Sequence, residues 1–242
     1  MLCQAVIFDL YGTLVPPFQM REHILIMQKI ARVLSVDFES LHVAWGKDFP
    51  RRIRGEFASV ADNLASIAAG LGNPADPGAL AEAERIYRTF TLEGLTPKPG
   101  AIQVLQWLHR QHIPLGLISN CSPDVVALWN QSPLAPYFSH CAFSSRERIA
   151  KPNPLIYRRT LDALGAPGER TLYVGDGSDQ ELSGAERSGM QAVLFVQDLS
   201  NTYDRNRPDV QNWTGTKILS FDELYPVVRH FKPKSDSSEL KD

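Results

Sequence analysis

The sequence predicts an α/β fold in which a doubly wound parallel sheet carries a helical insertion after its first strand. Five short apolar runs are continuous, as is typical of strands buried on both faces. Stretches with helical periodicity lie between most of these runs, and this alternation favours a parallel sheet covered by helices on both sides. Residues 16–94 break the alternation because their pattern is nearly all helical.

The elements of the sheet region follow in chain order. The predicted strands are AVIFDL (5–10), LGLIS (115–119), HCAFSS (140–145), TLYVG (171–175) and QAVLFV (191–196). The predicted helices are 99–111, which opens with Pro99, 153–164, which stops at Gly165, and 179–188, which Gly189 ends. Ligands of such sheets gather beyond the carboxyl ends of the strands, so the residues there are the first candidates for function.

The helical insertion defines the predicted domain organisation. Helices are expected at residues 20–34, near 57–71 and at 79–93, with the turn GLGNPADPG (70–78) between the last two. We therefore expect an α/β core formed by residues 1–15 and 95–232, a helical domain at 16–94 and a flexible polar tail at 233–242.

Composition limits the possible function classes. The 242 residues are 43% apolar and 21% charged, and the net charge of -2 gives no reason to expect nucleic acid or a membrane as partner. Three cysteines without metal-type spacing argue against a disulfide framework or a zinc site. No apolar stretch is long enough to span a bilayer, and no basic leader precedes the first apolar run. We expect a cytoplasmic protein, a monomer or homodimer, that acts on a small molecule.

Four separated segments place polar side chains at predicted strand ends or helix starts. A strand-end carboxylate can act as a covalent nucleophile. Attack on a phosphate needs nearby positive charge, which Mg²⁺ supplies when one or two carboxylates hold it. The candidates are Asp9 with Tyr11, Gly12 and Thr13; Ser119 with Asn120; Lys151; and Asp176 with Asp179 and Glu181.

These residue types suggest a division of labour. Asp9 and Asp176 are candidate carboxylate ligands of magnesium, and a backbone carbonyl after Asp9 is a candidate third ligand. Ser119 and Lys151 are candidates for holding the phosphate oxygens. Each feature alone has a simpler explanation, since strand-end acids often cap turns and lysines before proline are often solvated. The combination, in this order, is more specific than any single motif.

On these segments the chain resembles the haloacid dehalogenase-like (HAD) hydrolase superfamily, in the subfamily with a helical cap inserted after the first motif. FDLYGTLV resembles the first motif, usually DxDGT, and LISN resembles the second. KPNPLIY resembles the third motif and YVGDGSDQELSGAERSGM the fourth. The resemblance spans residues 5 to about 196. It implies a Rossmann-like core with residues 16–94 as a small α-helical cap domain.

The resemblance also implies roles for the metal-site candidates. Asp9 would be the nucleophile, and the backbone carbonyl of Tyr11 together with Asp176 would complete a Mg²⁺ site. Glu181 stands where the family often has a second acid that supports the metal through water. Asp179 is an alternative for that position, although the spacing favours Glu181.

The remaining candidates would contact the substrate, a phosphate ester. Lys151 and Ser119 would bind the phosphoryl group and stabilise the charge that develops on it, so that Lys151 is also catalytic. Asn120 follows Ser119 in the second motif and belongs to the same substrate-binding set. Thr13 would hydrogen-bond within the site or cap the turn that follows Asp9.

Tyr11 departs from the pattern of the superfamily's phosphatases, which usually carry a second Asp there to protonate the leaving alcohol. A phenol, with a pKa of about 10, is a poor base at neutral pH. DLYGTL is also the form found in the superfamily's 2-haloacid dehalogenases, which use no metal and have a fourth motif rich in Ser and Asn. Those enzymes also carry a substrate-holding Arg in the first cap helix, whereas here Ser40 stands near that position and Arg32 is the nearest substitute.

Three hypotheses follow from the sequence. Mg²⁺-dependent hydrolysis of phosphate esters through an aspartyl-phosphate leads, because Asp176 beside Asp9 would be disfavoured without a cation. Metal-independent dehalogenation of short 2-haloacids is the second, and a catalytically weak relative that binds a ligand or partner is the third. The basic segment at 46–57 is either a cationic rim for an anionic substrate or a solvated turn.

Overall fold

The structure is a computed structural model of the chain and describes residues 2–234. Most of the predicted tail, residues 235–242, lies outside the described residues, so the structure does not test that prediction. Within residues 2–234, none of the helices combines the length and the apolar character needed to pass through a bilayer.

A six-stranded parallel sheet forms the centre of the fold and confirms the predicted α/β class. Its strands are β1 (Ala5–Phe8), β2 (Leu115–Ser119), β3 (His140–Phe143), β4 (Thr171–Gly175), β5 (Gln191–Phe195) and β6 (Thr216–Ile218), in the order β3-β2-β1-β4-β5-β6. The first five were predicted because β1, β2 and β4 are buried throughout, β5 over four of its five residues and β3 over its second half. The short edge strand β6 was missed, since it has only three residues and one of them is exposed.

Helices cover the sheet and form the insertion. The bounds are α1 (Met20–Val33), α2 (Phe38–Lys47), α3 (Phe49–Arg52), α4 (Val60–Gly70), α5 (Pro77–Gly94), α6 (Ala101–Arg110), α7 (Pro123–Leu128), α8 (Ser144–Glu147), α9 (Pro154–Leu164), α10 (Glu181–Arg187), α11 (Pro208–Asn212) and α12 (Leu224–Arg229). The predicted core helices correspond to α6, α9 and α10. Helix α10 starts later than predicted because Asp179 and Gln180 each have a φ of 53°, which no α-helix accommodates.

Helices α1–α5 lie between β1 and α6 and have a hydrophobic cluster of their own, which includes Met27, Leu41, Trp45, Leu64 and Tyr87. Helices α2 and α3 were not predicted separately. The carboxylate of Asp37 caps α2 by accepting a hydrogen bond from the Ser40 amide at 2.8 Å. Arg52, in the basic segment, is buried rather than solvated, and its Nη1 donates to the Trp45 carbonyl at 2.7 Å.

Two apolar layers pack against the faces of the sheet. One layer contains Leu105 and Leu108 of α6 together with Leu224 of α12. The other contains Ile156 of α9 and Leu182 of α10. The strands are therefore covered on both faces, which is the physical reason for their continuous apolar runs.

Close packing of α9 against α10 depends on Gly184. A Cβ at this position would lie 2.5 Å from Oη of Tyr157, whose hydroxyl donates to the Glu181 carbonyl at 3.2 Å. Gly184→Ala should therefore lower the free energy of unfolding by about 1–3 kcal/mol, because the added methyl displaces a buried ring. The control is Gly46→Ala in α2, where no atom lies within 4 Å of such a Cβ, and this variant should be neutral or up to about 1 kcal/mol more stable. Urea unfolding measures both, and equal shifts for the two variants would contradict the packing argument.

Candidate active site

The candidate site lies where the strand order reverses at the carboxyl edge of the sheet. Asp9 directly follows β1, which is the central strand between β2 and β4. Its amide donates to the Val174 carbonyl of β4 at 2.9 Å, so the hydrogen-bond pattern between β1 and β4 extends to Asp9. Ser119 ends β2 and is buried, and Asp176 directly follows β4. Parallel neighbours thus bring the ends of three strands together, as the sequence predicted.

The turn after Asp9 is tight because it packs against the end of β4. Gly12 has a φ of 84°, and a Cβ there would lie 1.8 Å from Oδ2 of Asp176. Only glycine fits this approach. The next residue, Thr13, is fully buried and its hydroxyl donates to Oδ2 of Asp9 at 3.1 Å. Thr13 therefore orients the Asp9 carboxylate.

The ammonium group of Lys151 lies between two carboxylates. Its Nζ is 2.6 Å from Oδ1 of Asp9 and 2.5 Å from Oε2 of Glu181. Burial by itself lowers the pKa of Lys151, but the charges of Asp9 and Glu181 outweigh it and hold the pKa well above its usual value. Lys151 is therefore a fixed cation beside the Asp9 oxygens. The Tyr173 hydroxyl also donates to Glu181, at 2.8 Å.

Asp9, Asp176 and Glu181 form an acid cluster in which one oxygen from each lies within 4.8 Å of the others. All three are buried. Burial, followed by the charge of Asp9, raises the pKa of Asp176 to about 6, while Arg207 opposes the shift. The cluster therefore carries more negative charge than its surroundings accommodate well.

The acid cluster fits a small divalent cation. Carboxylate oxygens are hard ligands of the kind that Mg²⁺ prefers. Asp176 Oδ2 is buried, and Nη1 of Arg207 makes an ion pair with it at 2.5 Å. Three buried carboxylates whose oxygens lie within 4.8 Å of one another form a donor set of the kind that holds a dication. Glu181 is less free, because its oxygens also accept from Tyr173 and from the Gly177 amide at 2.9 Å.

Asn120 is positioned to hold the loop that carries Lys151. Its Oδ1 accepts from the Lys151 amide at 2.8 Å, and its Nδ2 donates to the Lys151 carbonyl at 3.1 Å. The same amide nitrogen donates to Asp179 at 2.8 Å. Asp179 is exposed and lies outside the acid cluster, so of the two acids considered for a metal-supporting position Glu181 is the one the structure brings to Asp9.

The side chain of Tyr11 lies against the insertion and not beside Asp9 in the acid cluster. Its ring makes an edge contact with Phe18 at a centroid distance of 6.0 Å, and a Cβ on Gly94 of α5 would lie 3.7 Å from it. Burial first, and then the charge of Asp124, raise the pKa of the Tyr11 hydroxyl well above its usual value. The hydroxyl is therefore protonated at neutral pH and cannot serve there as a base.

The insertion closes over this edge of the sheet. Thr91 of α5 donates to the Asp124 carboxylate of the core at 2.5 Å. The Asn201 carbonyl, from the segment after β5, accepts from the Met20 amide at 3.0 Å. Tyr203 of the same segment lies 2.9 Å from Nδ1 of His23. The nucleophile candidate Asp9 is 4% exposed.

Sequence reasoning missed Arg207 and Tyr173. Arg207 lies in an irregular segment after β5, where no periodic pattern or motif points to it. Tyr173 alternates with apolar residues inside β4 and was taken as part of the buried strand. The only local signal at Arg207 is the following Pro208, which favours a helix start and does not indicate a buried cation. Arg32, considered for dehalogenation, is exposed in the last turn of α1.

Comparison with known sequences identifies relatives with phosphatase names. The glyceraldehyde 3-phosphate phosphatase of Pyrococcus abyssi is 26% identical over 200 residues, which cover 80% of this chain and 82% of the relative. A phosphoglycolate phosphatase of Pseudomonas fluorescens is 31% identical over 129 residues, which cover 53% of this chain and 46% of that one.

Solved structures with the same fold carry both dehalogenase and phosphatase names. The L-2-haloacid dehalogenase of Xanthobacter autotrophicus matches with a TM-score of 0.60 at 22% identity, over 95% of this chain and 100% of that chain. The HAD phosphatase of Thermococcus onnurineus matches with a TM-score of 0.62 at 20% identity, over 93% and 97% of the two chains. At this identity the likeness concerns the fold alone.

The family comparison covers most of the chain. The sequence model of the haloacid dehalogenase-like hydrolases matches residues 3–189. This range contains all the residues that the sequence predicted for the site, and it ends before Arg207. The chain therefore belongs to the haloacid dehalogenase-like hydrolase family.

Proposed function

We propose that the chain hydrolyses a small phosphate monoester through an aspartyl-phosphate intermediate on Asp9, with Mg²⁺ as cofactor. One observation carries the proposal. The Asp9 carboxylate is buried at the switch point of the sheet, is oriented by Thr13 and Lys151, and shares an acid cluster with Asp176. A nucleophilic carboxylate among fixed cations and further hard oxygen ligands suits the attack on a phosphate.

The proposed reaction has two covalent steps. An oxygen of Asp9 forms a bond to phosphorus while the bond from phosphorus to the ester oxygen breaks, and the departing alkoxide takes up a proton from water. Water then attacks the phosphorus of the aspartyl-phosphate, a proton passes to solvent, and inorganic phosphate leaves as Asp9 is regenerated. Lys151, Ser119 and the backbone amides after Ser119 stabilise the phosphate oxygens that gain negative charge in both steps.

Asp9, Asp176 and the backbone carbonyl of Tyr11 would hold the magnesium ion. When bound, Mg²⁺ would supply the positive charge that lets a carboxylate approach an anionic phosphate. Because Tyr11 would contribute its carbonyl, the unusual side chain at this position does not remove a ligand. Glu181 would support the site indirectly, while it keeps Lys151 beside Asp9.

The helical segment 16–94 acts as a cap over a core formed by residues 1–15 and 95–232. The low exposure of Asp9 supports this division. It is also supported by the contacts between segment and core, from Thr91 to Asp124 and from Met20 to Asn201. A closed cap excludes water during transfer to Asp9 and must open to admit substrate. The names of the phosphatase relatives support a small phosphorylated substrate. The cytoplasmic location and the monomeric or homodimeric state stay predictions from the sequence.

Dehalogenation of a 2-haloacid is a second candidate, favoured by Tyr11 alone. Halide leaves without a proton, so that reaction would not need an acid at this position. Against it stands Asp176, which adds a carboxylate beside Asp9 where a metal-free enzyme gains from neutral side chains. A weakly active relative that binds a ligand or partner is a third candidate, with the missing acid as its motivation.

The first functional test uses para-nitrophenyl phosphate, whose leaving group needs little protonation. We expect turnover that falls to background in EDTA and returns with Mg²⁺. Asp9→Asn should lower kcat by a factor of about 10³ or more, because the amide cannot act as nucleophile. Asp162→Asn, which changes an exposed acid of α9 outside the cluster, is the matched control and should retain activity.

Other results of this assay would favour the competing candidates. Phosphatase activity that chelator leaves unchanged would refute the magnesium part of the proposal. Chloride release from 2-chloropropionate that depends on Asp9 would favour dehalogenation. No turnover of either compound, with the protein folded, would favour the weakly active relative.

The second functional test concerns the missing acid at position 11. Tyr11→Asp should speed hydrolysis of alkyl phosphates by about tenfold or more, because a carboxylic acid can protonate a poor leaving group. It should change para-nitrophenyl phosphate turnover much less. Tyr11→Phe is the control, since it removes the hydroxyl and keeps the ring against Phe18. If Tyr11→Phe slows both substrates strongly, the phenol itself takes part in the reaction and the missing-acid account fails.

A further inference from the structure

Arg207 places a buried cation directly on the acid that would hold the metal. It is 5% exposed, and its Nη1 lies 2.5 Å from Oδ2 of Asp176 and donates to the Asp176 carbonyl at 3.2 Å. The other side of the guanidinium binds Asp204, with Nε 2.9 Å from Oδ2 and Nη2 donating to Oδ1 at 3.0 Å. Arg207 is thus held between two carboxylates, one inside the acid cluster and one outside it.

Arg207 approaches one oxygen of an acid that belongs to the acid cluster. The Arg207 guanidinium, 2.5 Å from Oδ2 of Asp176, is the cation in direct contact with this oxygen. The other oxygen, Oδ1, accepts from the Ser178 amide at 3.2 Å. A divalent cation and a guanidinium repel each other, and both cannot lie within contact distance of one carboxylate oxygen without a free-energy cost.

We propose that Arg207 is a positioning residue that competes with the divalent cation for Asp176, so that it holds the acid while the metal is absent and weakens metal binding. The inference rests on the proposed function, because it needs a metal at the acid cluster. Arg207 does not touch the reacting atoms of the proposed chemistry and acts only through Asp176.

Asp204 gives Arg207 an alternative partner. Its carboxylate is half-exposed, and it also accepts from the Ser178 hydroxyl at 3.1 Å. When a cation binds Asp176, Arg207 can keep both contacts to Asp204 and so remain paired. The buried guanidinium therefore has a carboxylate partner both with and without the metal, and the free-energy penalty of an unpaired buried charge does not arise.

The position of Arg207 also links the metal site to the cap. The same segment after β5 carries Asn201, whose carbonyl and side chain contact Met20, Arg21 and Glu22 at the start of the insertion. A shift of Arg207 away from Asp176 would therefore act on a segment that touches the cap as well as the core.

Isothermal titration of the full-length protein with MgCl₂ tests the competition without any measurement of activity. Arg207→Gln should lower the Kd for Mg²⁺ by about tenfold, because a unit charge is removed next to the ligand oxygen. The matched control is Arg205→Gln, an exposed arginine of the same segment, and it should leave the Kd within about twofold. Asp176→Asn should abolish binding and so identifies the site that is titrated.

Thermal melting supplies an independent readout, because Arg207→Gln should lower the melting temperature without Mg²⁺ and enlarge the rise that Mg²⁺ causes. In EDTA, Arg207→Gln should melt at a lower temperature than the wild type, since Asp176 loses its counter-charge. Saturating Mg²⁺ should raise the melting temperature of this variant by more than it raises that of the wild type. If Arg207→Gln does not fold, Asp204→Asn takes its place. This variant removes the charge of the alternative partner, so Arg207 should pair more strongly with Asp176. The Kd for Mg²⁺ should then rise by threefold or more.

The outcomes separate the two proposals. Equal or weaker Mg²⁺ binding by Arg207→Gln, or unchanged or tighter binding by Asp204→Asn, would overturn the competition and leave the proposed function intact. No binding of Mg²⁺ by the wild type or by Arg207→Gln would overturn both. Tighter binding by Arg207→Gln together with a larger stabilisation by Mg²⁺ supports the inference even if the substrate remains unknown.

Discussion

The buried ammonium of Lys151 is the contact on which the geometry of the site depends. Its side chain is 1% exposed and lies within 2.6 Å of both Asp9 and Glu181. An uncompensated charge at this depth costs several kcal/mol, so each partner is required by the others. Asp9 follows β1, Lys151 precedes α9 and Glu181 begins α10, so one cation ties together three segments, with Lys151 itself 142 residues from Asp9 in the chain. The orientation of the nucleophile candidate is therefore set by electrostatics as much as by its own strand.

The strand order determines why these segments meet. From the central β1 the chain fills one side of the sheet with β2 and β3, and then the other side with β4, β5 and β6. The ends of β1 and β4 consequently leave a crevice where neighbouring connections diverge. Asp9 and Asp176 face this crevice, and the insertion lies over it through contacts from Thr91 and Asn201. The strands thus fix Asp9 and Asp176, while the helices of the insertion contact the rest of the chain through polar and aromatic side chains.

The strands and the acids at their ends could be predicted because strands buried on both faces leave continuous apolar runs. The same reasoning brought Asp9 and Asp176 together from distant positions. It could not find Arg207, because that residue lies in an irregular segment and reaches a partner 31 residues away. It named Asn120 as a substrate ligand, which stays a prediction, and it did not find the hydrogen bonds between Asn120 and the Lys151 backbone. Pairings between loops depend on tertiary distances that periodicity does not encode, and this is why both contacts were missed.

The charge of the acid cluster helps to decide between dehalogenation, which the first motif indicates, and Mg²⁺-dependent phosphate-ester hydrolysis, which the fourth motif indicates. With all three carboxylates ionised, two cations in direct contact, Lys151 and Arg207, leave one formal negative charge. Burial first, and then the charge of Asp9, accordingly raise the pKa of Asp176 and of Glu181, so a cation is needed for the fully ionised cluster. Phosphate esters and haloacids are both anions at neutral pH, so this balance would repel either from a carboxylate nucleophile. A bound dication reverses the sign, whereas a metal-free enzyme would need neutral side chains where Asp176 stands. Tyr11 is weaker evidence for dehalogenation, because any residue at this position can offer its backbone carbonyl to a metal. The acid after β4, and not the tyrosine after β1, is therefore the stronger guide to the chemistry.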